Sequence, residues 1–121
     1  DHGVLCEGDS ALCQRLAAEQ VPLTVCPLSN VKLRVFDQMA DHNLCRLMDQ
    51  GLVVTVNSDD PAYFGGYLVE NYLALWRALG LELETLRQLV RNSIHASWLA
   101  EADKAAWLRQ IDGVALPAGN A

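Results

Sequence analysis

Two kinds of apolar run alternate along this chain. The first is short and nearly continuous: residues 21–26 and 52–57 are apolar and β-branched, and each is too short for a helix. Runs of this kind predict strands buried on both faces. Pro22 falls at the start of the first, where a proline costs the ladder least. The second kind has helical spacing. A helix is predicted from Asp9 or Ser10, either of which can cap it, to about Gln20, with Ala11, Leu12, Leu16 and Ala17 on one face. Another is predicted within 41–50, stopped by Gly51. Three more follow: over 67–79, with Leu68, Tyr72, Leu75, Trp76 and Leu79 in register and Gly80 at its end; over 84–98, with Leu86, Leu89, Val90, Ile94 and Ser97 on one face; and over 102–111. Residues 28–32 read as a loop and 117–121 as a frayed tail.

Strand and helix therefore alternate, which predicts a parallel sheet covered by helices. Asp1-His2-Gly3 reads as the end of a further strand rather than the start of a domain. Two strands and a stub cannot close a sheet. A (β/α)8 barrel takes about 250 residues, so the expected fold is the last strand–helix units of such a barrel, about a third of it. All 121 residues are expected to belong to one barrel domain, with no second domain.

Composition narrows the partners. The formal net charge is -6, and Lys and Arg occur singly without a basic stripe. Nucleic acid and anionic membrane are therefore excluded as expected partners. No apolar stretch approaches the about 18 residues of a membrane span. Cys6, Cys13, Cys26 and Cys45 show no C-x-x-C spacing, so they are read as reduced, mostly buried thiols of a cytoplasmic protein. Oligomeric state is left open.

Candidate chemistry clusters at Asp1-His2-Gly3, Ser29-Asn30 and Ser58-Asp59-Asp60, each directly after a strand. In a parallel sheet these strand ends share one rim, where active sites are built. Successive side chains point apart, so one of Asp59 and Asp60 can ligate a cation while the other binds a substrate. The pair can equally be an Asp-Asp-Pro turn that caps the next helix. His2 can be a metal ligand, a base or a satisfied core histidine. His42 is expected in a loop or cap and His95 on a helix surface, both away from the rim. There is no G-x-G-x-x-G, Walker loop, G-x-S-x-G or H-E-x-x-H. Cys26-Pro27 lacks the second cysteine of the P-C-x-x-C deaminases, which excludes that class.

The runs 1–4 (Asp1-His2-Gly3-Val4), 25–33 (from Val25-Cys26-Pro27-Leu28-Ser29-Asn30 to Leu33) and 56–61 (Val56-Asn57-Ser58-Asp59-Asp60-Pro61) together resemble the adenosine/adenine deaminase family, in its order and approximate spacing, as far as about Leu99. The run 62–67, with the 28–33 segment, looks more like the microbial adenine deaminase branch. The resemblance implies a (β/α)8 barrel with one catalytic Zn2+ and a small purine as substrate. It implies hydrolysis of adenine to hypoxanthine and ammonia, with adenosine deamination or a non-catalytic barrel remnant as the alternatives. By position, Asp59 matches the carboxylate zinc ligand and Asp60 the residue that hydrogen-bonds the purine near N7. His2 matches the histidine that orients and helps deprotonate the zinc-bound water. The family's histidine ligands and proton-shuttling glutamate lie upstream of a sequence that starts where this one does. This chain is accordingly expected to be a piece of a longer enzyme, inactive and weak in zinc binding by itself.

Overall fold

The computed structural model describes residues 1–116, so the tail at 117–121 lies outside the described residues. After a 3-10 turn at Val4–Gly8 the order is α1 (Ser10–Glu19), β1 (Leu23–Val25), α2 (Pro27–Lys32), α3 (Leu44–Asp49) and β2 (Val54–Val56). A short α4 (Pro61–Phe64) follows, then α5 (Leu68–Leu79), α6 (Leu83–Ala96) and α7 (Glu101–Asp112). The strands are parallel, with Leu23 opposite Val54, Thr24 opposite Thr55 and Val25 opposite Val56. The ladder runs past them through Leu23 N–H to Val53 O (2.8 Å) and Asn57 N–H to Val25 O (2.8 Å). On the other side of β1, His2 N–H donates to Thr24 O at 3.0 Å, so the opening residues lie where a neighbouring strand would end.

β2 is buried at every position, which explains its β-branched, mainly apolar sequence. Val25, Val54 and Val56 pack with Leu44, Leu47, Leu75 and Leu89 into one core. Thr55 is admitted to it because its hydroxyl donates to Leu23 O at 3.0 Å. The carbonyl of Val54 accepts from Asn92 Nδ2 of α6 at 2.8 Å, which blunts the outer edge of β2.

Several expectations need correction. Residues 28–32 are helical. Pro27 presets the first turn of α2, and the orphan N–H of Leu28 is taken by Asn71 Oδ1 of α5 at 3.0 Å. That partner is distant in sequence and replaces the missing local cap. Asn71 is fully buried and also donates to Tyr67 O at 2.9 Å, so α5 turns Asn71 and Leu75 inward and leaves Leu68 and Trp76 exposed. In α1 the buried residue is Cys13, while Ala11 and Leu12 face outward. The strands are shorter than the apolar runs, and a short helix, α4, directly follows the Asp-Asp-Pro turn.

Asn71→Leu is expected to cost about 1–3 kcal/mol, because it strands the Leu28 N–H inside the fold. Trp98→Ala, at a fully exposed position, should stay within about 0.5 kcal/mol. Urea unfolding of the two variants compares them directly, and coincident midpoints would refute the capping role of Asn71.

Candidate active site

The three polar clusters meet at the C-terminal ends of the strands. Ser29 Oγ donates to Asp59 Oδ2 at 2.7 Å, and His2 Nε2 stands 3.7 Å from the same oxygen. Asn30 Nδ2 lies 3.4 Å from His2 Nδ1. Ser29 and Asn30 reach the rim from the first turn of α2, so the helix replacing the expected loop is what aims them.

Two of these residues hold an uncommon backbone. His2 has φ 51° and Asp59 has φ 57°, both in the left-handed region. Left-handed backbone costs a non-glycine residue up to roughly 1–2 kcal/mol. At His2 it is held by the backbone bond to Thr24 O, and at Asp59 by the hydrogen bond from Ser29. Gly3 continues the turn at φ 78°, which favours glycine, and a Cβ there would lie 2.7 Å from Leu23 Cδ2 and force that side chain to shift.

Asp59 and Asp60 diverge. Asp59 faces His2 and Ser29, whereas Asp60 Oδ1 accepts the N–H of Tyr63 at 3.0 Å and caps α4. The capping alternative thus holds for Asp60. Its carboxyl also remains exposed at the rim.

The donor set suits a divalent metal in part. Among the described residues, His2, Cys26 and Asp59 bring a nitrogen, a sulfur and a carboxylate oxygen within 4.8 Å of one another. Burial pushes the Cys26 thiol up to about 11, with the nearby Asp59 charge adding to it, and the thiol donates to Thr24 O at 3.4 Å. In the absence of a metal it is a protonated, packed thiol, while His2 and Asp59 present the nitrogen and the carboxylate oxygen of the group. A groove of about 770 Å3 opens beside His2 and Asn30 and runs down the flank of β1 over Leu5, Leu12, Val21 and Leu33. Its mainly apolar walls are a packing surface more than a purine site.

His42 lies in a loop as expected, and what the sequence did not reveal is its burial behind Asn30. It does cap, since its Nδ1 accepts the N–H of Leu44 at 3.1 Å. It is nevertheless buried against Phe36, with ring centroids 4.6 Å apart, and its Nε2 lies 3.1 Å from Asn30 Oδ1. It stands behind the rim, one residue removed from His2. A single histidine in an irregular stretch carries no signal for that placement. His95 is exposed on α6 as expected.

The adenosine deaminase family model matches residues 1–114. The chain belongs to the adenosine deaminase family. It is 59% identical over 112 residues to the adenine deaminase of Hahella chejuensis, which is 93% of this chain and 34% of that protein. Among solved structures, adenine deaminase from Arthrobacter aurescens superposes with a TM-score of 0.91 at 50% identity, covering 93% of this chain and 34% of the other. A cog1816 amidohydrolase from Burkholderia ambifaria with bound Zn gives a TM-score of 0.81 at 29% identity, covering 93% and 32%. The fold is therefore a segment of the (β/α)8 barrel expected from the strand–helix alternation. The chain spans about a third of the length of the curated relatives it matches. No described helix is long and apolar enough to cross a membrane.

Burial lowers the His42 imidazole to about 4, with Arg46 contributing, from an ordinary value of 6.5. Between these two values the unfolded chain binds a proton that the folded chain refuses. Stability is therefore expected to fall as pH drops from about 6.5 toward about 4. His42→Gln should flatten that part of the profile, measured as urea midpoints across the range. An unchanged slope in the variant would show that another group governs it.

Proposed function

We propose that this chain forms part of the active site of a zinc-dependent adenine deaminase, which converts adenine and water to hypoxanthine and ammonia. One observation carries the reading: His2 and Asp59, from separate strand ends and both on left-handed backbone, face each other at 3.7 Å with Ser29 bracing the carboxylate. Backbone strain of this kind concentrates at functional sites. The high identity to adenine deaminases over nearly the whole chain favours adenine as the base.

The roles are those that the family resemblance implies, and the geometry is compatible with each. Asp59 would hold zinc through its carboxylate, with Ser29 occupying part of Oδ2 and so limiting how the group can turn. Zinc, when bound, supplies the Lewis acidity that makes water nucleophilic near neutral pH. His2 presents Nε2 to the space beside Asp59, where it can hold the attacking oxygen and offset the charge that develops as C6 becomes tetrahedral. Asp60 would bind the purine at N7. N7 is an acceptor, so Asp60 must donate and its carboxyl would carry a proton in the complex. Capping α4 through Oδ1 steadies that carboxyl at the rim. The group that protonates the leaving ammonia is not supplied by His2, Asp59 or Asp60. All 121 residues are read as belonging to one barrel domain. The four unpaired cysteines, including Cys6 and Cys13 with sulfurs 3.8 Å apart, suit a reducing cytoplasm.

The direct test is a chimera in which residues 1–114 replace the matching segment of the Hahella chejuensis protein. Turnover of adenine over adenosine is expected, with about one zinc per chain, while the present chain alone should turn over neither. A folded chimera without turnover, or steady chelator-sensitive deamination by the chain alone, would overturn the reading. Preference for adenosine would move the substrate. In the same chimera Asp60→Asn should raise KM less than Asp60→Ala, since the amide still donates to N7, and equal losses would remove Asp60 from that role.

A further inference from the structure

We propose that Asn30 and His42 are positioning residues that fix the ring proton of His2 on Nε2, aiming it at the space beside Asp59. Leu44 opens α3, and its backbone N–H can only donate. It donates to His42 Nδ1 at 3.1 Å, so that nitrogen carries no proton. Burial keeps the His42 ring neutral near pH 7. A neutral ring with a bare Nδ1 has its single proton on Nε2.

The rest follows by elimination. His42 Nε2 lies 3.1 Å from a side-chain atom of Asn30, and that atom must accept, so it is Oδ1. The amide Nδ2 of Asn30 then turns toward His2 Nδ1, 3.4 Å away. An amide nitrogen donates, so His2 Nδ1 accepts and is bare. In its neutral form the His2 ring therefore has its proton on Nε2, the nitrogen facing Asp59 Oδ2 at 3.7 Å. Turning the Asn30 amide over would set N–H against N–H at His42, which the low dielectric of a buried site penalises heavily. Asn30 and His42 are each 2% exposed, so water offers little alternative at the contact between them, while the His2 side chain is 36% exposed.

The consequence rests on the reading given under Proposed function. With this tautomer His2 enters the reaction as a hydrogen-bond donor that orients the attacking oxygen, and it does not take the water's proton, which departs from the deprotonating part of the role that the family resemblance implies. The opposite tautomer would present a lone pair there. Partners behind a reacting histidine set which nitrogen works. Here the setting is relayed through two side chains to a backbone N–H at the start of α3.

The experiment reads the tautomer itself, so it stands apart from deamination. The chimera is labelled with 15N-histidine, and the two-bond 1H–15N ring spectrum is recorded at one neutral pH. The His2 signals are assigned by their loss in His2→Gln. The expected result for the unsubstituted protein is a protonated Nε2 and a bare Nδ1 on His2. Asn30→Asp keeps the size but presents an acceptor, and should move the proton to Nδ1. His42→Gln can still donate to Asn30 Oδ1 and should retain the original tautomer. A protonated Nδ1 in the unsubstituted protein, or an unmoved proton in folded Asn30→Asp, would overturn the proposal. If the chimera deaminates adenine, Asn30→Asp should lower kcat by roughly 10–100-fold with little change in KM. A shifted tautomer with unchanged kcat would remove the catalytic consequence while leaving the relay. Absence of all turnover would count against the deaminase reading and not against the spectrum.

Discussion

The parallel pairing of β1 with β2 is the constraint on which everything else depends. Because the strands run the same way in register from Leu23–Val54 to Val25–Val56, their C-terminal ends emerge side by side. The segment after β1 begins with Pro27, and the segment after β2 ends in Asp59-Asp60-Pro61, so both strands turn at once into helices that start at the rim. Antiparallel pairing would send Ser29 and Asp59 to opposite ends of the sheet. The bond of His2 to Thr24 adds the third contributor on the same edge. A one-residue slip would exchange the faces of Thr55 and its flanking valines and break the Thr55 hydroxyl bond to Leu23 O, so the packing that stabilises the sheet also sets the distance from Ser29 to Asp59.

Around that edge the structure accepts local cost. His2 and Asp59 hold left-handed backbone, and Asn30, His42, Asn43 and Asn71 are polar groups nearly or fully removed from solvent. The cost is offset by partners that are specific in direction. Asn71 serves Leu28, His42 serves Leu44, Asn43 donates to Val4 O and Glu7, and Ser29 serves Asp59. The Arg46 guanidinium on Glu7 holds that carboxyl below the usual glutamate range and ties the opening 3-10 turn to α3. A buried polar group with fixed partners is expensive to rearrange, and that keeps the site from relaxing into an unstrained loop.

Much of this was legible beforehand because it rests on periodicity and local chemistry. The continuous apolar run ending at Val56 announced a strand buried on both faces, and Gly80 announced the end of α5. The Asp-Asp-Pro turn announced both a cap and a rim carboxylate, and the structure divides these between Asp60 and Asp59. What escaped notice has non-local causes. Residues 28–32 lack a side-chain cap of their own and looked like a loop, but Asn71 supplies the missing acceptor from α5. The inward face of α5 was misjudged for the same reason, since burying Asn71 rotates Leu68 and Trp76 outward.

By itself the sequence determined the strand–helix alternation, the parallel sheet, the family and the three polar clusters at strand ends, because each is written in neighbouring residues and in spacing. The tertiary structure alone decided how those clusters are wired. His42 was a histidine in an irregular stretch until folding placed it behind Asn30. The proton of His2 acquires a direction only when a backbone N–H at the start of α3, two side chains away, is held in place. Hydrogen bonds between residues distant in sequence leave no periodic trace, and the order in which donors meet acceptors exists only in three dimensions.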